Sequence, residues 1–231
     1  MKKGVKKPKV KTPEKRQRKV LFIILFVILT LIIVVGVFFG LKWYFDSQNL
    51  IGTEQIGSGN NNIVNGVTIG EIPEAEWNVA PDEPKYMSIP AIGIRNARVE
   101  NLGIKVGTTA QFDDPVYSMS AGWYRNSARP GGGGVGLYDG HYGVGAYQGV
   151  FTRLSQVKIG DEIIIERGDG KKFTYKIIEN QTIPVGQVNM NKLMSSFDAG
   201  QEGIVLITCA GTWDPAKEKY DHRTTVRAVL I

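Results

Sequence analysis

Between Lys19 and Lys42 the chain runs for 22 residues, Val20–Leu41, without one charged side chain. At about 1.5 Å per helical residue such a segment reaches roughly 33 Å, enough to cross a hydrocarbon core of about 30 Å. A cleaved signal peptide fits less well, because its apolar region is about 7–15 residues long and is followed by small residues. Here Lys42-Trp43-Tyr44-Phe45 follows, in the manner of an interfacial aromatic anchor. Ahead of the segment, residues 1–19 carry ten Lys/Arg and one acid, Glu14. Positive charge of this kind stays on the cytoplasmic side. The expectation is a single-pass membrane protein with a cytoplasmic N-terminus and an extracellular C-terminal bulk.

That segregation also corrects the impression given by a net charge of +6. Residues 43–231 hold 17 Lys/Arg against 21 Asp/Glu, so the outer part is acidic. No nucleic-acid partner is expected from it. The organisation expected is a basic tail (1–19), a transmembrane anchor (20–41), a flexible extracellular linker (42–84) and one globular domain (85–231). The linker is assigned on its Gly, Asn, Ser, Glu and Pro content, including Gly57-Ser58-Gly59-Asn60-Asn61-Asn62.

Strand signals dominate residues 85–231. Tyr86–Pro90 is short and extended, and Ala97–Ile104 alternates. Gly134–Tyr138 is a brief apolar run. Glu162–Arg167 and Phe173–Ile178 flank Gly168-Asp169-Gly170 as a hairpin. Gly203–Cys209 is β-branched and apolar, as a central strand is, and Thr225–Leu230 closes the chain. Only Val188–Phe197 and Gly149–Leu154 suggest helix. Many short strands at this spacing point to a sandwich or a closed barrel.

The chain has one cysteine, Cys209, so no internal disulfide can form. It ends the most apolar strand, where a side chain combines access with a rigid backbone, as a nucleophile requires. A small buried core residue is the other reading of a lone Cys. Two histidines exist. His141 follows Tyr138-Asp139-Gly140 at a strand end, and His222 lies in Tyr220-Asp221-His222-Arg223. Either can be an ordinary solvated or core histidine. Arg223 begins the last strand and, if the last two strands pair, shares a sheet end with Cys209. There a guanidinium can stabilise an oxyanion, although a surface arginine is the default. No metal-ligand spacing is present. The run Gly131–Gly136 formally contains G-x-G-x-x-G but opens no helix after a strand, so it reads as a mobile loop and not as a nucleotide site.

Taken in order, several segments resemble the sortase family. Ser88-Ile89-Pro90-Ala91-Ile92-Gly93 resembles its opening strand. Gly122-Trp123-Tyr124 followed by Pro130-Gly131 resembles the segment ahead of the catalytic histidine in class E and F sortases. Asp139-Gly140-His141, Phe151-Thr152-Arg153-Leu154 with Gly160-Asp161, Ile207-Thr208-Cys209 and Arg223 follow in family order. The resemblance implies an all-β, eight-stranded barrel with short helices. It implies a transpeptidase that cleaves an LPxTG-like sorting signal after Thr. Cys209 would form the thioester, His141 would be the acid and base, and Arg223 would hold substrate carbonyls and the oxyanion. The implied partners are surface-protein substrates and an amine acceptor from a cell-wall precursor or a pilin. No metal or organic cofactor is implied. Asp139 stands where the family usually has Ala or Ser. Two other readings compete: a tethered, non-catalytic β-barrel binding module, and a peptidoglycan L,D-transpeptidase. The second would need an arginine two residues after the cysteine, where Gly211 stands.

Overall fold

The computed structural model describes residues 62–74, 77–104 and 112–231, together with Ile23, Ile24, Phe26, Thr30 and 35–37. The expected basic tail, most of the expected membrane anchor and the first part of the linker lie outside the described residues. No helix among the described residues is long and apolar enough to cross a membrane. The chain divides into two compact units, Met1–Glu54 and Gln55–Ile231; the second is described below.

A small hairpin comes first, β1 (Ile63–Val64) and β2 (Val67–Thr68), turning on Asn65-Gly66. Both turn residues have positive φ, 51° and 81°, which suits Asn-Gly in a two-residue hairpin loop. Then follow β3 (Pro84–Ile89), β4 (Ile94–Leu102), β5 (Ala121–Tyr124) and β6 (Val135–Gly140). A second small hairpin, β7 (Gly143–Val144) and β8 (Tyr147–Gln148), comes next. The chain continues with β9 (Glu162–Arg167), β10 (Lys172–Pro184), the one-turn helix α1 (Met190–Leu193), β11 (Gly203–Asp214) and β12 (Lys219–Leu230). Eight strands close into a barrel in the order β10-β12-β11-β6-β5-β4-β3-β9.

Period-two alternation decides which side chains fill the barrel. From β11, Ile204 and Leu206 enter the main core with Trp123, Tyr138, Phe151, Tyr175 and Ile177. The intervening Val205 packs on the outer face with Leu102, Tyr124, Leu137 and Leu193, and Ile207 lies against them. Both faces of β11 are therefore covered, which explains its unbroken apolar run. Complete burial of each large apolar side chain contributes about 1.5–3 kcal/mol.

The expected helix over Val188–Phe197 shrinks to α1. The Ser195 hydroxyl donates to the Lys192 carbonyl, and the Ser195 carbonyl accepts from Arg227 Nη2 at 2.6 Å, so the chain leaves the helix after one turn. Gly149–Leu154 is a set of turns rather than a helix, ending in the 3-10 turn Leu154–Gln156. Thr152 Oγ1 accepts from the Gly149 amide, which favours the turn over helix.

The Gly131–Gly136 run is tied down rather than mobile. The amides of Gly131 and Gly133 donate to the two oxygens of the Glu202 carboxylate, at 2.8 and 2.9 Å, and Tyr175 Oη donates to Glu202 Oε1 at 2.6 Å. Gly131, Gly133 and Gly134 all have φ near +80°, the backbone that lets successive amides converge on an anion. Here the anion is the protein's own carboxylate. Glu202→Ala is expected to cost about 3 kcal/mol, since three bonds to a charged acceptor vanish. For a domain of this size that is a drop in melting temperature on the order of 10 °C, measured by calorimetry.

Candidate active site

Three adjacent strands, β6, β11 and β12, position the candidate residues: Cys209 and Arg223 lie within β11 and β12, and His141 directly follows β6. β11 and β12 are antiparallel, with Cys209 directly opposite Arg223. β6 and β11 are parallel, and their ladder runs to Asp139 opposite Ile207. Two residues further on come His141 and Cys209. The end of that ladder is locked by Thr208, whose buried Oγ1 donates to the Gly140 carbonyl at 2.6 Å. Alternation then gives Cys209 and Arg223 the same face. Tyr138, Leu206, Val226 and Ala228 point into the barrel, so Asp139, Ile207 and Arg227, and with them Cys209 and Arg223, belong to the outer wall, and His141 follows directly on the end of β6. All three candidates are half-buried.

His141 is held on both sides. Its Nε2 lies 2.7 Å from the Pro115 carbonyl, which can only accept, so Nε2 carries the proton and Nδ1 is left as the acceptor. Its own carbonyl accepts from the Phe151 amide at 3.0 Å. Gly149 passes so close to this carbonyl that a Cβ there would collide with it. Gly149 thus serves close packing against the histidine's backbone.

Cys209 sits in a field of mixed sign. Burial pushes its thiol above the ordinary value, the Arg223 guanidinium pulls it back, and the carboxylates of Asp139 and Asp114 push it further up. The thiolate is therefore the minority form at neutral pH, and Arg223 is the neighbour that favours it. Alkylation of Cys209 by iodoacetamide should rise with pH along a curve whose midpoint lies above that of an exposed cysteine. Asp139→Asn removes one of the opposing charges and should move that midpoint to lower pH. A curve that stays put or moves upward would separate Asp139 from the thiol.

Arg223 is braced by its own strand, with Nη1 donating to the carbonyls of His222 at 2.9 Å and Tyr220 at 3.3 Å. His222 pairs with Ala210 and not with Cys209, and its Nδ1 lies 2.8 Å from Asp221 Oδ1. The structure thus separates the two histidines by register. Among the described residues, no group of three or more His, Cys, Asp or Glu is gathered tightly enough to hold a metal ion.

Sequence reasoning missed several members of this neighbourhood. The Pro115 carbonyl is a backbone group and leaves no trace in side-chain patterns. Thr208 was read only as part of a motif. Tyr220 packs edge-on against both Tyr142 and Trp213, at 5.4 and 5.2 Å between ring centres, and forms an aromatic rim beside Cys209. The clustering of Tyr142, Trp213 and Tyr220 around the candidate residues in sequence was the available signal.

The chain is similar in structure to a sortase from Actinomyces oris, with 22% identity, a TM-score of 0.46, and coverage of 67% of this chain and 83% of that one. It is similar to a lid mutant of sortase A from Corynebacterium diphtheriae, at 24% identity and TM-score 0.47, covering 64% and 69% of the two chains. A sortase D5 transpeptidase from Clostridium perfringens matches at 22% identity and TM-score 0.45, covering 68% and 84%. Among curated protein sequences, none matches. The sequence model of the sortase domain matches residues 87–231, well over half of the chain and nearly the whole barrel. The protein therefore belongs to the sortase family, the cysteine transpeptidases.

Proposed function

We propose that Cys209, His141 and Arg223 are the catalytic residues, and that the substrate is a surface protein bearing an LPxTG-like sorting signal. The observation that carries this is the register: Cys209 faces Arg223 across one strand pair, and the parallel β6, whose ladder with β11 reaches Asp139 opposite Ile207, leads directly into His141. In this reading the Cys209 thiol gives its proton to His141 Nδ1 as the sulfur attacks the Thr carbonyl carbon, and Arg223 donates to the oxygen as charge develops there. The C–N bond breaks, His141 delivers a proton to the leaving amine, and a thioester remains. An incoming amine, from a cell-wall precursor or a pilin, gives up a proton to His141 as it displaces the sulfur. A new amide bond forms and the thiol is restored.

The uncharged segment 20–41 anchors the enzyme in the cell membrane in this proposal. The N-terminus is cytoplasmic and the barrel extracellular, as the charge on residues 1–19 favours. The Trp123-Tyr124 strand followed by Pro130-Gly131 favours placement with class E or F sortases. An inert binding barrel has no use for a charged guanidinium paired opposite a lone thiol. Incubation of the detergent-solubilised full chain with LPxTG-like peptides, followed by intact-mass spectrometry, should reveal an acyl adduct on Cys209. The adduct should disappear on adding hydroxylamine or an amine acceptor. Neither adduct nor cleavage across a panel of such peptides would overturn the substrate assignment.

A further inference from the structure

The stretch between the apolar segment and the barrel contains more than a spacer. The β1–β2 hairpin lies along residues 116–119, the turn that leads into β5. Thr68 forms a parallel bridge to Tyr117: its amide donates to the Val116 carbonyl at 2.7 Å, and its carbonyl accepts from the Ser118 amide at 2.8 Å. Gly70 continues the contact, donating to Ser118 Oγ at 3.0 Å and accepting from the Met119 amide at 3.0 Å. Thr68, Ser118 and Ser120 are all buried. Immediately before this turn stands Pro115, whose carbonyl holds His141 Nε2. The opposite side of the turn is fixed by Glu100, whose carboxylate accepts from the amides of Val116 and Tyr117 at 2.9 and 3.0 Å. The hairpin also meets the β7–β8 turn, which follows His141 in the chain. Val64 lies against Gly145, close enough that a Cβ on the glycine would stand 3.2 Å from the Val64 methyl. Beyond the hairpin, Arg98 secures residues 71–74 by a bond to the Ile72 carbonyl and ion pairs with Glu71 and Glu74.

We propose that the 62–70 hairpin is a positioning element for His141, and that Thr68 is its central residue, acting through the 115–119 turn. This rests on His141 being the acid and base. A turn of this kind has few apolar contacts of its own, so its position is set by the groups that bond its amides and carbonyls. Glu100 bonds one side and the hairpin the other. With the hairpin removed, the turn keeps Glu100 and the Val150 amide, which donates to the Ser118 carbonyl at 2.9 Å, but loses all four bonds from Thr68 and Gly70, and the Pro115 carbonyl is held less firmly against the imidazole. Orientation is the part of catalysis most sensitive to such a loss, because a misplacement of about 1 Å can cost on the order of 100-fold in rate. The effect should fall on kcat, since the hairpin does not itself supply a substrate-binding group.

The test uses the full chain in detergent with a sorting-signal peptide that the wild type cleaves. Thr68→Pro removes the amide that bonds Val116, and a second variant deletes residues 62–70. The expected result for both is a fall in kcat of about 10- to 100-fold with KM within about threefold of wild type. The His141 ring Nε2–H resonance, protected in the wild type by Pro115, should be lost to solvent exchange. Thr68→Val keeps the amide and should restore both kcat and the resonance. If Thr68→Pro fails to fold, the deletion carries the same readouts. Wild-type kcat and an intact Nε2–H resonance in a folded Thr68→Pro or deletion variant would overturn the proposal, as would a loss confined to KM. His141→Ala separates the two readings. An inactive His141→Ala beside an active deletion removes only the hairpin's role, whereas an active His141→Ala removes the assignment of the base itself.

Discussion

Cys209→Ala is expected to leave the barrel folded and to lower turnover of a sorting-signal peptide by about 1,000-fold or more, as loss of a covalent nucleophile does elsewhere. Cys209 is half-buried, follows the apolar stretch of β11, and belongs to neither apolar cluster. Its loss therefore opens no large cavity, and the melting temperature should shift by no more than a few degrees. The chemical consequence is of a different order, because no other thiol exists in the chain to form the acyl-enzyme. The measurement is peptide cleavage followed by chromatography, with circular dichroism to confirm the fold. Activity within tenfold of wild type in a folded Cys209→Ala protein would remove the thioester from the reaction.

Arg223→Lys is expected to lower kcat by about 100-fold, which corresponds to about 2.7 kcal/mol of transition-state stabilisation. This substitution keeps the positive charge, so the attraction that favours the Cys209 thiolate is largely preserved. What it removes is the planar fork. Arg223 is braced through Nη1 by two backbone carbonyls on its own strand, and that bracing fixes the guanidinium plane beside the thiol. A lysine ammonium on a flexible stem satisfies those carbonyls or the substrate oxygen, but does not hold both in one geometry. The discriminating observation is that alkylation of Cys209 at fixed pH changes little while acylation by peptide slows sharply. Unchanged kcat would take Arg223 out of the mechanism, and parallel losses in alkylation and acylation would assign it to the thiol's charge alone.

Much of the barrel was legible because burial writes itself into period-two patterns. Glu162–Arg167 and its partner strand were readable as a hairpin, and they pair as β9 and β10 with Ile163 opposite Tyr175. The strand Gly203–Cys209 was readable as central and has neighbours on both sides. β5 was not read as a strand. Its four residues, Ala121–Tyr124, are all buried, so it shows no alternation and is too short to declare itself as an apolar run. The Gly131–Gly136 run misled because composition reports the freedom of a backbone but not what its amides bond. Its partner, Glu202, lies about seventy residues away. The expectation of one continuous linker over residues 42–84 rested on the same kind of composition, which does not distinguish a spacer from a short hairpin bonded to a distant turn.

The candidate site divides along the same line. The sequence by itself determined the chemical inventory: one thiol, two imidazoles, and an arginine expected at the start of the last strand, although that strand begins earlier, at Lys219, and β11 runs past Cys209 to Asp214. Residue parity within each strand determined which face each side chain takes. Only the tertiary structure decided that β6 runs parallel to β11 with Asp139 opposite Ile207, two residues short of His141 and Cys209, and that His222 falls one residue out of line with Cys209. It alone decided that a proline carbonyl bonds the imidazole and that a remote hairpin bonds the turn following that proline. The physical reason is that side-chain alternation is local and costs nothing to read along a chain. The pairing of strands, and the partners of backbone donors and acceptors, are chosen by closure of the whole barrel, in which every rung depends on contacts far apart in sequence.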